Sequence, residues 1–490
     1  MNGKRNIFKL STLGILLICY SISVCDLHAQ APGQRADQTP NLIIIFTDDQ
    51  GYGDLSSYGH PEIETPNIDR LAEEGMKFTD FYVPAPVCTP SRAALLTGTY
   101  PKRVGLAHRV LFPYSKTGLN PDEITIAEML KDEGYATAAI GKWHLGHYAP
   151  FLPTNQGFDY YFGIPYSNDM GDVDYDRYNM AEDYVSGPIP VYRNEEVIEV
   201  DPDQSRLTRR YTDEAIRFVT ENRDQPFFLY LPHSMPHVPI AASRHFRGKS
   251  DYGTYGDAIE EIDWGVGEIL DHLEHLGIAR NTVVMFATDN GASEWEGQGG
   301  WVWTPEWDGR VTRGTQTYRS GSNGPLRGDK NTTWEGGMRV PFLIRWPERI
   351  PAGEVSGALV TSMDILPTIA GILGIELPAD RKIDGYDIWP ILSGTQKDES
   401  PYQAFYYYRD DRLQAVRSGR WKLHVYRPDS GATEMLYNLQ TDIGETTDVS
   451  DEHPDVVERL QRLAEEARRD LGDAATGREG SNVRPIGKIE

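Results

Sequence analysis

Short apolar runs recur along this chain, and they constrain its fold more than any other feature. Asn41–Phe46 reads NLIIIF, and Ala136–Ile140, Phe227–Leu231, Thr282–Ala287 and Pro341–Arg345 share its character. A β-branched run with no polar alternation suits a strand buried on both faces. Between these runs lie amphipathic stretches that fit helices, at Pro66–Glu74, Ile124–Glu133, Arg206–Glu221 and Tyr255–Leu276. Strands alternating with helices predict an α/β fold with a mostly parallel sheet flanked by helices. The character changes near Ser393. Ala404–Tyr408, Leu413–Arg417 and Trp421–Tyr426 are short alternating strands, with Ser418-Gly419 as a tight turn, and an amphipathic helix follows at Pro454–Leu471. This predicts a small C-terminal α+β subdomain with an antiparallel sheet. From Gly472 onward no periodicity remains, and the tail is expected to be mobile. With 490 residues the chain has room for such a division, drawn at 30–395 and 396–490.

Residues 1–29 read as an export signal. Lys4, Arg5 and Lys9 precede the apolar stretch Leu13–Ile22, and Ala29 offers a small residue for cleavage. That stretch is too short for a membrane span, so the protein is expected outside the cytoplasm, periplasmic or secreted, without stable membrane insertion. Of 3 cysteines, Cys19 and Cys25 fall inside the signal, so the exported chain keeps only Cys88 and forms no internal disulfide. The net charge of −25 argues against nucleic-acid partners, whose non-specific binding depends on phosphate neutralisation.

Thr47-Asp48-Asp49-Gln50 directly follows the first apolar run, and Thr288-Asp289-Asn290-Gly291 follows another in the same way. Ligands of open α/β sheets bind beyond the carboxyl ends of strands. Taken singly, each acidic turn also suits an Asx turn. Together Asp48, Asp49, Asp289 and Asn290 present only oxygen donors, a set for a hard cation such as calcium or magnesium and not for zinc. Cys88 precedes the stretch Thr89–Thr97, which reads as a helix capped by Thr89, with Pro90 at its first position and Gly98 at its end. Cys88 would then lie at an anion-favouring helix start, with Arg92 one turn inward.

CTPSRAALLTG, from Cys88 to Gly98, resembles the signature of the type I, formylglycine-dependent sulfatases. Other stretches are similar to the arylsulfatase A and N-acetylgalactosamine-6-sulfatase branch: GKWHLG (Gly141–Gly146), GIPYSND (Gly163–Asp169), HSMPHVP (His233–Pro239), the segment Gly321–Pro341 and MLYNLQTDIGETTDVS (Met435–Ser450). The resemblance runs from Asn41 to about Ser450, with no departure at a key position.

It implies an alkaline-phosphatase-like fold and hydrolysis of sulfuric esters of a sugar or polysaccharide. Cys88 would be oxidised to formylglycine by a separate maturation enzyme. Asp48, Asp49, Asp289, Asn290 and residue 88 would hold Ca²⁺, with Mg²⁺ as the alternative. Arg92, Lys142, His144, Ser167, His237 and Lys330 would line the sulfate pocket. One hydroxyl of the hydrated aldehyde would attack sulfur. His144 would take the second hydroxyl's proton, and His237 with Lys330 would serve the departing alcohol oxygen. His233 is expected to be structural or to orient a neighbour.

A phosphatase or phosphonate hydrolase on the same fold is the competing enzyme reading. Zinc-dependent relatives carry Asp-His where this chain has Asp289-Asn290. If Cys88 stayed a thiol, the chain would be a non-catalytic carbohydrate-binding protein. Ser293–Gly324 is a Gly-rich insertion with Trp295, Trp301, Trp303 and Trp307, which suits either a sugar-stacking surface or a small core of its own. The acids Asp169, Asp172, Asp174 and Asp176 read as a pocket rim or a second cation site. The sequon at Asn331 adjoins Lys330 and is expected to be unused.

Overall fold

The strand Asn41–Thr47 lies inside the main sheet with all seven residues buried. Its side chains alternate between two cores. Leu42, Ile44 and Phe46 join the cluster on one face of the sheet, while Ile43 and Ile45 join the cluster on the other. This explains the unbroken apolar run, since both faces of the pleat meet a hydrophobic layer. The computed structural model describes residues 39–171, 188–293, 301–302, 312–313, 319–426 and 434–489. The leader, most of the Trp-rich insertion and Asp172, Asp174 and Asp176 lie outside the described residues.

The sheet has eleven strands. In spatial order these are Glu354–Ser356, Met76–Tyr82, Arg339–Arg345, Thr282–Thr288, Asn41–Thr47, Phe227–Pro232, Ala136–Lys142, Tyr160–Ile164, Pro190–Arg193 and Glu196–Val200, with Val360–Thr361 also paired to Met76–Tyr82. The five strands from Thr282–Thr288 to Tyr160–Ile164 are mutually parallel. Arg339–Arg345 runs antiparallel to its neighbours, as do the strands beyond Tyr160–Ile164. Five consecutive strands therefore deliver their carboxyl ends to one edge, and Arg339–Arg345 begins there. The helices Leu207–Glu221 and Thr254–His275 bury their apolar faces in the second core.

Four antiparallel strands form the C-terminal sheet: Phe405–Arg409, Arg412–Ser418, Trp421–His424 and Met435–Asn438. The last was not marked by apolar alternation. Its Phe405, Tyr407, Leu413 and Ala415 share a core with Tyr82, Ala94, Tyr100 and Met338, and the helix Pro454–Asp470 adds Leu463 and Ala467.

The tail after Gly472, expected to be mobile, carries local pairing. Gly472–Asp473 pairs with Arg478–Glu479, Gly487–Lys488 pairs with Thr117–Gly118, and Arg484 meets Glu123 at 2.7 Å. The tail is held by backbone pairing and charge, which leave no apolar period in the sequence. No helix among the described residues is long and apolar enough to cross a membrane.

Candidate active site

Asp48 and Asp49 stand immediately beyond the first strand, and Asp289 and Asn290 beyond its parallel neighbour; all four side chains are fully buried. The two turns are tied together. The Asp289 amide donates to the Thr47 carbonyl at 3.2 Å, the Asp49 amide to Asp289 Oδ1 at 3.2 Å, and the Gln50 amide to Thr288 Oγ1 at 3.2 Å. Asp49 takes the left-handed conformation, φ 62°, uncommon outside glycine. Its turn is braced from behind by Tyr255, whose hydroxyl reaches the Asp49 carbonyl at 3.3 Å and Asp54 Oδ2 at 2.5 Å. Burial pushes Asp54 up to about 6 despite three donors. Asp54 and Tyr255 escaped the sequence reading, because neither motif nor period distinguishes them.

The helix Cys88–Thr97 carries the thiol. It starts at Cys88 itself, with Val87 as a cap that uses no side chain, and not after a Thr89 cap as expected. The Thr89 hydroxyl instead donates to the His144 carbonyl at 2.8 Å and accepts from the Leu111 amide at 3.1 Å. Its capping capacity is spent on tying the helix start to two loops. Gly98 ends the helix in the left-handed conformation, φ 66°, as expected.

Cys88 Sγ lies 3.4 Å from Asp48 Oδ1 and 3.7 Å from Lys142 Nζ. Lys142 forms an ion pair with Asp48 and donates to Ser167 Oγ at 3.0 Å. Arg92 grips Asp289 Oδ2 with Nη2 at 2.7 Å and Nε at 3.1 Å, reaches Asp48 at 3.4 Å, and donates to the Lys142 carbonyl at 2.9 Å. Lys330 Nζ meets Asp49 Oδ2 at 2.5 Å. His237 Nε2 lies 3.5 Å from the same oxygen, with Nδ1 2.6 Å from the Val238 carbonyl. His144 Nε2 lies 2.9 Å from the Leu111 carbonyl, and its Nδ1 is buried without a partner. His144 thus reaches the cluster through Leu111 and Thr89, and Ser167 through Lys142. His233 is buried nearby in sequence and packs against Tyr211 with ring centroids 6.2 Å apart.

The charges set the protonation states. Burial raises Asp48, but Lys142 first, then His237 and Arg92, override it and hold the carboxyl well below its ordinary value. Asp49 is lowered in the same way, burial being outweighed by Lys330 and His237. Asp289 goes the other way: burial, then the Asp48 charge, pushes it up to about 7. Burial and Asp48 also push the Cys88 thiol well up, so an unmodified Cys88 is no thiolate at neutral pH. Burial, then Lys142 and Arg92, hold His144 well below its ordinary value and hence neutral. With its Nε2 on a carbonyl, neutral His144 keeps the Nδ1 lone pair free to accept a proton.

Ligand atoms of Asp48, Asp49, Cys88 and His237 all lie within 4.8 Å of one another. Asn290 donates through Nδ2 to Asp49 Oδ1 at 2.7 Å, which leaves its Oδ1 buried and without a partner. Buried polar atoms are seldom left unpaired. Carboxylate oxygens plus one free amide oxygen suit a hard cation. The family resemblance implies a substrate role for His237; the geometry brings its ring to the carboxylates as well.

Residues 40–375 match the family described as Sulfatase, and residues 327–470 match the family described as N-sulphoglucosamine sulphohydrolase, C-terminal. The chain is 40% identical over 441 residues to N-acetylgalactosamine-6-sulfatase of Canis lupus familiaris, covering 85% of this chain and 78% of that one. It is 38% identical over 476 residues to arylsulfatase A of Homo sapiens, covering 89% of both. Among solved structures, Ps i-CgsB in complex with k-i-k-neocarrahexaose superposes with a TM-score of 0.71 at 30% identity, covering 88% of this chain and 92% of that one.

Proposed function

This chain belongs to the sulfatase family and is a sulfuric ester hydrolase with an alkaline-phosphatase-like fold; we propose that it removes sulfate from a sulfated sugar or polysaccharide, using a formylglycine made from Cys88 beside a bound calcium ion. The observation that carries this reading is the place of the Cys88 sulfur. It sits at a helix start, buried among Asp48, Asp49 and His237 and 3.7 Å from Lys142. A sulfate ester is an anion that needs fixed positive charge and helix-terminal amides around it. The carbohydrate class is supported by two similarities, to a galactosamine sulfatase and to a structure holding a neocarrahexaose.

Asp48, Asp49, Asp289 and Asn290, with residue 88, would hold the ion, calcium or alternatively magnesium. When present, the ion supplies positive charge at the sulfate oxygens, and the hydrated aldehyde supplies the attacking hydroxyl. Arg92, clamped by Asp289, keeps a permanent charge on the helix face below residue 88. Lys142 and Ser167, joined at 3.0 Å, bind sulfate oxygens as a pair. His144 takes a proton at Nδ1. His237, whose Nδ1 is committed to the Val238 carbonyl, would give a proton from Nε2 to the departing alcohol oxygen, and Lys330 would stabilise that oxygen. Residues 1–29 would direct export to the periplasm or beyond, where a polysaccharide is met, and a formylglycine-generating enzyme is the implied partner. On this reading 30–395 is the catalytic domain and 396–490 its C-terminal subdomain.

A peptide mass spanning residue 88 in active native protein tests the nucleophile. An aldehyde is expected, and an unmodified thiol in fully active enzyme overturns the reading. Initial rates on aryl sulfate, phosphate and phosphonate monoesters test the ester class. Faster turnover of the phosphorus esters would reassign the chain to phosphate or phosphonate hydrolysis.

A further inference from the structure

Lys330 holds its ammonium against Asp49, yet it stands in a loop, not at a strand end. What fixes that loop lies partly in the C-terminal sheet. Upstream, the Lys330 amide donates to the Ala292 carbonyl at 3.1 Å and the Asn331 amide to the Pro86 carbonyl at 3.0 Å. The turn closes on itself where Thr332 Oγ1 donates to the Asp329 carbonyl at 2.7 Å. Downstream, the segment Thr333–Glu335 is clamped from the strand Arg412–Ser418 of the other sheet and from the loop after Met435–Asn438. Gln414 Oε1 accepts from Thr333 Oγ1 at 2.8 Å, and Glu445 Oε2 accepts from the Glu335 amide at 2.7 Å.

Lys422 is the centre of that clamp. Its ammonium is fully buried and lies 2.8 Å from the Thr333 carbonyl, 2.9 Å from Glu335 Oε1 and 2.9 Å from Glu445 Oε1. Those are three acceptors for three ammonium protons. A buried ammonium with every proton committed is a rigid joint, and removing it leaves two buried carboxylates without their shared partner. Glycines make the packing around the turn unforgiving. A Cβ at Gly337 would stand 2.1 Å from the Thr332 carbonyl oxygen, and one at Gly336 would stand 2.2 Å from that of Gly328.

We infer that Lys422, with Gln414 and Glu445, positions Lys330 for its task, so that the C-terminal sheet completes the active site. This rests on the role given above to Lys330. Lys422 touches neither the thiol nor the strand-end acids and acts only through the loop.

Turnover of an alkyl or sugar sulfate and of p-nitrophenyl sulfate, in wild-type and Lys330→Ala backgrounds, tests the inference. Lys422→Met is expected to lower kcat on the sugar sulfate about tenfold to a hundredfold, the scale of an ångström misplacement, with KM within about twofold. The loss should be smaller on p-nitrophenyl sulfate, whose leaving group needs little stabilisation. In Lys330→Ala the same substitution should change kcat by less than about twofold, because residues acting through one group are not additive. Gln414→Leu, which removes only the Thr333 acceptor, should follow the same pattern with a smaller loss, and it carries the test if Lys422→Met does not fold. Equal losses in both backgrounds, or equal losses on both substrates, overturn the inference while leaving the reading of Lys330 intact. Normal turnover by Lys330→Ala alone overturns that reading first.

Discussion

Among the described residues, two largely buried charge clusters differ in what they leave open. Around Glu335, Lys422 spends its three protons on Thr333, Glu335 and Glu445, while Tyr407 donates to Glu335 at 3.0 Å. At the strand ends, Asp48, Asp49 and Asp289 face Arg92, Lys142 and Lys330, yet Asn290 Oδ1, His144 Nδ1 and Ser91 Oγ are buried without partners. Charge count and burial are similar in the two places. Burial of charge therefore does not mark function by itself, since a closed cluster is a structural joint. Buried unpaired polar atoms occur elsewhere too, at Trp346 Nε1 and Tyr161 Oη, so it is their coincidence with the thiol and the strand-end acids that singles out the open cluster.

The sharpest way to break this contrast is to remove the atom at the centre of the open cluster. Cys88→Ala is expected to lower kcat on any sulfate ester at least about 10⁴-fold, the scale seen when a covalent nucleophile is lost. Steady-state rates check it, and residual turnover near wild type would show that the cluster only binds. Next in size, Lys330→Ala and His237→Ala should each lower turnover about a hundredfold, as expected for lost charge stabilisation or acid catalysis. Near-normal rates in both would remove them from the site.

The open cluster was largely legible in the sequence and the closed one was not. Asp48-Asp49 and Asp289-Asn290 could be placed because each follows an apolar run whose strand identity is plain, and parallel strands end at one edge. Local capping signals placed Cys88 at a helix start, but its role, like the placing of His144 and His237, needed the family resemblance, since a lone Cys or His has no period. Thr89 misled because its hydroxyl, an ordinary cap by local rules, is spent on His144 and Leu111. Lys422, Glu335 and Glu445 read as surface residues in a string of letters, and only the docking of the two sheets buries them. The strand Met76–Tyr82 was missed for a related reason: MKFTDFY mixes Lys, Thr and Asp into a chain whose inward positions alone are apolar. Tertiary pairing, not composition, decides such elements.

The closed cluster makes its own prediction. Glu335→Gln should destabilise the fold by about 3–5 kcal/mol, the cost of stripping one partner from a buried charge set. On the proposed reading, any calcium content and aldehyde fraction at residue 88 should match those of the wild type, since among the described residues no hydrogen bond or ion pair joins Glu335 to the strand-end acids. Denaturant melts and metal analysis on one preparation check both halves. Loss of metal with stability intact would invert the assignment of the two clusters.

The smallest effect separates carboxylates paired with cations from one that is not. Asp263 is buried, and its acceptors serve the Asn67 amide at 2.9 Å, the Ile68 amide at 2.7 Å and Asn67 Nδ2 at 2.8 Å, with no cation among these partners. Burial pushes it up to about 7 from 3.8, the hydrogen bonds only partly opposing. The native state therefore binds a proton that the unfolded chain releases. That contribution is fully present below the unfolded value and fades as pH rises from about 4 to about 7, at no more than about 1.4 kcal/mol per pH unit. Glu335, held down to about 2 because Lys422, Arg417 and Arg339 outweigh its burial, behaves oppositely. Its contribution is present above its unfolded value and is lost only as pH falls below about 4. Between pH 5 and 7 the Asp263 slope stands clear of it. The melting temperature of the wild type should fall across that window more steeply than that of Asp263→Asn, whose carboxamide does not titrate. Parallel melting curves for the two proteins would mean that Asp263 is already ionised in the fold, and that its amide donors alone do what a cation does for Glu335.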